Sequence, residues 1–461
     1  MNRVTVELTP YVPAADLFRL VCHQPDCAFL DSSLVNDLGR WSIIGLKPYE
    51  TFVKEHDGTF TRNGQPQTGI SFEDSLQSYL RTHQDENQTG LPMVSGAIGY
   101  FSYDYGRENM GVASQEADPE PIPQARVVFY DLLVIEDCRD KRVWLSACGV
   151  TEPAKILLDR FQEQIDQAAR QGFPPVPTGH ASRPIDIRPN FEKEEYKAAV
   201  DRMIRYIIEG DIYIANMTQR LDVASDKDPL SVFYYLREHN PSPFGGYLDC
   251  GDHQIVCASP ERFLQLKDGL VQTRPIKGTR KRGDTPEEDA ALRLELEQSE
   301  KDKSELLMIV DLERNDLNRV CRPGSVKVTE LFTVEAYATV FHLVSNIQGQ
   351  LAEGMDVTDL LKSAFPGGSI TGAPKYRAME IIDELEHGKR GLYTGSIGYL
   401  TLDGACDWNI VIRTALHRDG RYHLGVGGGI TAESHLEFEY EETLQKAKAV
   451  LEALQRAPRW S

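Results

Sequence analysis

The 461-residue sequence predicts an α+β fold organised around a large antiparallel sheet system. Three observations carry that prediction. Short runs of β-branched and aromatic residues, separated by turn residues, crowd the first 150 or so positions. Helical periods follow, but they do not alternate one-for-one with strands as a parallel βαβ sheet requires. No repeat of fixed period divides the chain into like units.

The elements follow in order. "GRWSIIGL", "TFVKEHDGTFTRNG", "SGAIGYFSYDYG" and "ARVVFYDLLVIEDCRDKRVWLSACGV" read as strands, with hairpin connections at "DGTFTRNG" and "DCRDKRVWL". "EPAKILLDRFQEQIDQAAR" spaces Ile156, Leu157, Phe161 and Ile165 along one helix face. Pro174, Pro175, Pro177, Pro184 and Pro189 then mark a linker. The expected organisation is a sheet-rich region over 1–170, a Pro-rich linker over 171–189 and a second region over 190–461 that packs with the first as one body. After the linker, Tyr196, Val200, Met203, Ile204 and Ile207 share a helix face that Gly210 stops. Strands at "IYIANMTQRL", "GGYLDCG" and "HQIVCAS" are followed by helices near 286–319, 374–387 and 436–455.

Bulk properties exclude some partners. A formal net charge of −20 repels nucleic acid and anionic membranes, so neither is expected. The 8 cysteines are scattered without a CxxC pair, which points to a reducing, cytoplasmic setting. The opening residues lack the apolar stretch of a signal peptide, and Asp131 interrupts the run "VVFYDLLVI", itself too short to span a bilayer.

Several stretches carry chemistry. In "KDKSELLMIVDLERND", Asp302 and Glu305 lie three apart on one helix face, and in "EFEYEETLQKAKAVL" Glu439, Glu442 and Lys446 do the same. Either alone reads as a solvated acidic face; together they suggest an oxygen cage for Mg²⁺, which takes one or two direct carboxylates. In "FPGGSITGAPKYRAMEIIDELE", glycines precede a helix with Pro374 suited to its first position, an expected anion site. "GVGGGIT" is no dinucleotide fingerprint, because Ile430 stands where the last glycine belongs, and it reads as backbone that approaches a ligand closely. Glu261, His342, Tyr393 and Arg413 are polar residues in apolar settings, and Arg413 in particular should meet an anion. Lys277, in "TRPIKGTRKRGD", is either a surface charge or a positioned amine.

"PIKGTR", "SELLMIVDLERNDL", "GGSITGAPK", "DWNIVIRTAL" and "GGGITAESHLEFEYEETLQKA", in this order, resemble the chorismate-utilising enzymes. Within them the chain looks most like the aminodeoxychorismate synthase component I branch, strongly from about Asn190 to Leu454. The resemblance implies a large β sandwich like that of anthranilate synthase component I, flanked by helices, with its site in a cleft. It implies chorismate as substrate and one Mg²⁺, with Glu305 and Glu442 as direct ligands and Asp302 and Glu439 acting through water. Arg413 and Tyr393 would hold the enolpyruvyl carboxylate with backbone near Gly427 and Gly428. The ring carboxylate would lie on the metal near Gly278 and Lys446, with Thr371 and His342 lining the ring; Thr279 would also bind substrate, and Glu261 would be the acid. "PIKGT", against the "PIAGT" usual in anthranilate synthases, implies that Lys277 is a nucleophile. Such an amine must be neutral, and burial, Mg²⁺ and the cations Arg274 and Arg280 are expected to favour that.

Ile214 stands where isochorismate and salicylate synthases carry a basic lysine, and where aminating relatives often carry glutamine. No cysteine sits in a Gly-x-Cys-x-Gly elbow, so ammonia should come from a separate glutaminase subunit. "FLDSSLVNDLGRWSIIG" falls where anthranilate synthases sense tryptophan, which makes Asp31 and Ser32 a candidate tryptophan site. The rival readings are anthranilate synthase component I and a non-catalytic regulator that binds chorismate or a glutaminase.

Overall fold

The computed structural model describes residues 2–114, 121–176, 184–337 and 340–458. Residues 177–183 of the Pro-rich stretch lie outside the described residues, while Asp186–Pro189 forms a short strand.

All strand pairings are antiparallel, and they form two arms that share the long strand Ala125–Asp137. Its run of valines, leucines and aromatics is buried on both faces, as a strand between two packed layers must be. Asp131 survives in that run because the Val150 and Thr151 N–H groups donate to its carboxylate at 3.0 and 2.6 Å. On one side Ala125–Asp137 pairs with Trp41–Lys54, which leads through Ala28–Asp31, Phe244–Asp249, His253–Ser259, Thr414–Arg418 and Arg421–Ile430 to Ile214–Ala224. On the other it pairs with Gly96–Phe101, then Ser396–Thr401, Cys406–Asn409, Arg262–Lys267, Leu270–Thr273 and Val340–Gln350. Val340–Gln350 is flanked by Ile276–Lys281 and Lys327–Ala336. Apolar side chains of both arms, among them Ile43, Ile98, Tyr100, Ile255, Ile397 and Leu416, meet in one core cluster.

Helices cover the outer faces. The stretch expected as one helix near 286–319 is two, Pro286–Gln298 and Glu300–Asn318, because Ser299 leaves the helical conformation and caps the second one. Glu300–Asn318 packs on Val340–Gln350 and Ile276–Lys281, and the C-terminal helix Leu436–Arg456 packs on Arg421–Ile430. The two acidic helices therefore belong to different arms. Among the described residues, no helix is long and apolar enough to cross a membrane.

Candidate active site

Two short segments carry the chain directly from one arm to the other, from His253–Ser259 to Arg262–Lys267 and from Cys406–Asn409 to Thr414–Arg418. The crossovers are stitched together. The Ile410 N–H donates to the Glu261 carbonyl at 3.0 Å, the Ala258 N–H to the Arg413 carbonyl at 3.2 Å, and the Ser259 hydroxyl to the Ile410 carbonyl at 2.6 Å. Arg413 has φ +50°, and Thr394, beside Tyr393, has φ +61°. Left-handed backbone is costly for both, most of all for a β-branched threonine, and such strain concentrates where a side chain must be aimed. A cleft of about 590 Å³ opens beside these crossovers.

Lys277 enters it from Ile276–Lys281, where the pairing register slips at Gly278. Gly278 has φ +69°, and a Cβ there would stand 2.8 Å from Asp302 Cγ, so this bulge needs glycine. The Lys277 ammonium donates to the Ser369 carbonyl at 3.1 Å. Burial pushes the Glu261 carboxyl above its ordinary pKa, against the lowering effects of the Ser369 hydroxyl, the Lys277 ammonium and the Ile276 N–H. The cations expected around Lys277 are engaged elsewhere. Arg274 points into a different cavity and pairs with Glu330 at 2.9 Å and with Glu335; Arg280 pairs with Glu295 at 2.8 Å and Asp302 at 3.1 Å. Lys277 has carboxyls for neighbours instead, since it acts electrostatically on Glu261 and Glu305.

The carboxylates of both acidic helices converge on the glycine strand. A Cβ on Gly428 would lie 2.7 Å from Glu442 Oε2, 3.3 Å from Glu439 Oε2 and 3.7 Å from Lys446 Nζ. A Cβ on Gly429 would lie 3.5 Å from Lys277 Nζ and 4.0 Å from Glu305 Oε2. Burial raises the Glu305 and Glu439 carboxyls above their ordinary pKa, and the charge of Glu442 adds to both shifts. Lys446 donates to the Gly427 carbonyl at 2.8 Å and stands 3.4 Å from Glu442. No three acidic, histidine or cysteine side chains among the described residues are grouped as a ready-made metal cage.

Arg413, partly buried, makes no side-chain hydrogen bond or ion pair among the described residues, and burial disfavours its cation. The Tyr393 ring lies against Gly425, where a Cβ would come within 2.1 Å of it. His342 shares a 2.9 Å hydrogen bond with the Thr279 hydroxyl, and burial, helped by Arg413, pushes it down to about 4, so its imidazole is neutral at physiological pH.

Not every expected residue opens into the cleft. The Thr371 hydroxyl turns away and donates to the Gly367 carbonyl at 2.8 Å; Ser369 and Ile370 line the cleft in its place. Pro374 is the cap residue, not the first helical one, and the ammonium of Lys375 at that helix start is buried on Asp316 at 2.6 Å. Asp31 and Ser32 line a separate cavity of about 510 Å³. There the Asp31 carboxylate meets Arg237 at 3.1 Å, and the Ser32 hydroxyl reaches the Trp41 and Pro243 carbonyls at 2.8 and 2.9 Å. Ser369, Asn216 and Phe438, which also line the cleft, carried no sequence signal of their own.

The family of chorismate binding enzymes matches residues 29–452. The chain belongs to that family. Aminodeoxychorismate synthase component 1 of Bacillus subtilis is 38% identical over 428 residues, covering 90% of each chain. Anthranilate synthase component 1 of Pseudomonas putida is 36% identical, covering 96% of this chain and 93% of its own. The crystal structure of anthranilate synthase component I from Streptococcus pneumoniae TIGR4 superposes with a TM-score of 0.79 at 31% identity, over 90% of this chain and 93% of the other. The family's α+β architecture, a large antiparallel sheet with flanking helices, is the one expected from the sequence, and the chain is a chorismate-utilising enzyme.

Proposed function

We propose that the protein aminates chorismate at C4, giving 4-amino-4-deoxychorismate for p-aminobenzoate and folate synthesis, with ammonia drawn from a separate glutaminase subunit. The observation that carries this reading is a lysine amine, Lys277 Nζ, in one cleft with the buried acid Glu261 and the cation Arg413, which is without an ion pair among the described residues.

Arg413 takes the enolpyruvyl carboxylate, which supplies the anion its guanidinium lacks, and Tyr393 closes over it. The crowding of Glu305, Glu439 and Glu442 fits a divalent cation, whose charge would relieve their mutual repulsion. Glu305 and Glu442 would bind Mg²⁺ directly, with Asp302 and Glu439 acting through water; two direct carboxylates need no preformed cage. When bound, the ion supplies charge to hold the ring carboxylate.

Once the Lys277 ammonium has given up one proton to solvent, its amine bonds to C2 as the C4–O bond breaks, and Glu261 gives its proton to the departing hydroxyl, which leaves as water. Burial suits Glu261 to that task by favouring its protonated form. Ammonia then bonds to C4, the C2–N bond breaks to free Lys277, and a proton of the new ammonium returns to Glu261. A neutral His342 suits the ring wall, since it adds no charge beside the substrate. In the second cavity, a bound tryptophan would be structural, its ammonium competing with Arg237 for Asp31.

The test supplies chorismate, Mg²⁺ and ammonium and identifies the product by mass and fluorescence. A non-fluorescent 4-amino product is expected. Anthranilate would make the protein an anthranilate synthase, and no product with any nitrogen source would make it a regulator.

A further inference from the structure

Glu313 is a buried carboxyl on the inner face of Glu300–Asn318, between the core residues Ile309, Val310 and Leu317. Glu313 lies against Gly368, where a Cβ would stand 3.3 Å from Glu313 Cγ. The next residue, Ser369, accepts from the Lys277 ammonium through its carbonyl and bonds Glu261 through its hydroxyl. On its other side Glu313 Oε2 is 2.9 Å from the Thr273 hydroxyl, which is itself 2.7 Å from the carbonyl of Phe263, two residues past Glu261. Glu313 therefore adjoins both segments that set the Glu261–Lys277 geometry.

Burial and proton counting together bear on its form, since the single Thr273 proton has two acceptors within reach, Glu313 Oε2 and the Phe263 carbonyl. A hydroxyl carries one proton, and a carbonyl carries none. If the Thr273 proton goes to Phe263, the shorter contact, the Glu313 contact is a hydrogen bond only when Glu313 supplies the proton. The charged groups facing Glu313 are Glu261, Asp316 and Lys375. Lys375 has no donor to spare, because its three protons go to Asp316 at 2.6 Å and to the Ala364 and Pro366 carbonyls at 3.0 and 2.8 Å. A Glu313 carboxylate would thus be buried without a counter-ion and beside a second acid.

We propose that Glu313 is a positioning residue that works as a neutral acid, holding the Gly368–Ser369 turn and the Thr273–Phe263 contact against Glu261 and Lys277, and that the site fails when Glu313 ionises. Burial outweighs the lowering effects of the Thr273 hydroxyl and of Lys375 and, with Glu261 and Asp316 adding to it, pushes this carboxyl up to about 8, so the neutral form prevails at pH 7 and is lost on the alkaline side. The inference rests on the amination reading for its kinetic readout only.

The experiment compares kcat for chorismate consumption in wild type and Glu313→Gln from pH 6 to pH 10, at saturating ammonia and Mg²⁺. Gln keeps the shape and the donor to Thr273 and cannot ionise, and the ratio of the two rates cancels every titration they share. The ratio of Glu313→Gln to wild type is expected to rise about tenfold between pH 7 and pH 9. A pH-independent ratio overturns the proposal. Thermal unfolding of the same two proteins is read alongside. A carboxyl whose folded pKa lies above its unfolded value makes the fold lose stability as pH rises from the unfolded to the folded pKa. Wild type should therefore lose stability relative to Glu313→Gln between about pH 4.5 and pH 8, with no further divergence above. If neither protein consumes chorismate, the amination reading has failed, and a pH-independent difference in unfolding midpoint would still overturn the neutral acid.

Discussion

The cleft at Lys277 and the cavity at Asp31 are nearly equal in size, about 590 and 510 Å³, yet they differ in how their charges are used. In the second cavity the buried charges are paired within the protein: Asp31 with Arg237, Arg274 with Glu330 and Glu335, and Arg262 with Asp407 through two bonds of 2.9 Å. In the cleft between the crossovers Arg413 makes no side-chain hydrogen bond or ion pair among the described residues, and three acids from two helices crowd one glycine strand. Charge left unsatisfied inside the protein waits for a ligand, whereas charge satisfied inside it holds the fold together. Volume alone does not tell the two apart.

The strongest way to break this comparison is Lys277→Ala. The amine stands on the ligand side, bonded only to a carbonyl that solvent could serve as well. Its loss is expected to cut C4 amination at least about a thousandfold. Mg²⁺-dependent chorismate binding, measured by calorimetry, should survive. A variant that aminates at the normal rate would end the nucleophile assignment.

Two arginines then test the contrast directly. Arg413→Met should raise the KM for chorismate about 10–100-fold, the worth of a charge-assisted bond to a carboxylate, while leaving the unfolding midpoint nearly unchanged. Arg262→Met should leave that KM alone and strand the buried Asp407, costing about 3–5 kcal/mol of stability. The comparison collapses if the effects are interchanged, with Arg413→Met unfolding the protein and Arg262→Met sparing it.

The sequence carried the elements and the chemistry better than the arrangement. Strands with β-branched runs and helices such as Lys193–Glu209, stopped by Gly210 in a left-handed turn, are dictated locally and were legible. Spacing put Asp302 with Glu305 and Glu439 with Glu442 on shared faces, because three residues nearly complete a helical turn. What spacing cannot convey is which side chain spends its charge on a distant neighbour. Arg274 and Arg280 each sit three residues from Lys277, but strand alternation and the slip at Gly278 send Arg274 to another cavity and Arg280 onto Glu295 and Asp302. The direction of the Thr371 hydroxyl is equally illegible in the sequence, since it closes a local bond to Gly367 inside its own turn. Nothing in the sequence separates Glu313 from the other charges of its helix, and only the packing of that helix on Val340–Gln350 and the Gly368 turn reveals it as buried.

A pH experiment sharpens the picture of the cleft wall. His342 is held at about 4 in the fold against an ordinary 6.5, so the unfolded chain binds more protons between those values and stability rises with pH across that window. His342→Gln should remove this contribution, of order 2 kcal/mol, from the difference in unfolding free energy between pH 4 and pH 7. An unchanged slope would mean that the imidazole is solvated and does not form a dry wall.

The smallest effect should come from the glycine strand. Neither Gly428 nor Gly429 has a positive φ, so a Cβ is barred, if at all, by lack of room and not by backbone conformation. At Gly428 the new methyl would press 2.7 Å from Glu442 Oε2, the end of a flexible side chain, so the carboxylate moves and the strand stays. Gly428→Ala should therefore fold normally, within about 1 kcal/mol of wild type, and require several-fold more Mg²⁺ for half-maximal rate. At Gly429 the nearest atom, Lys277 Nζ, is 3.5 Å away, an ordinary contact, and the Mg²⁺ requirement should not change. If Gly429→Ala shifts the Mg²⁺ requirement as far as Gly428→Ala does, the carboxylates are not what these glycines make room for.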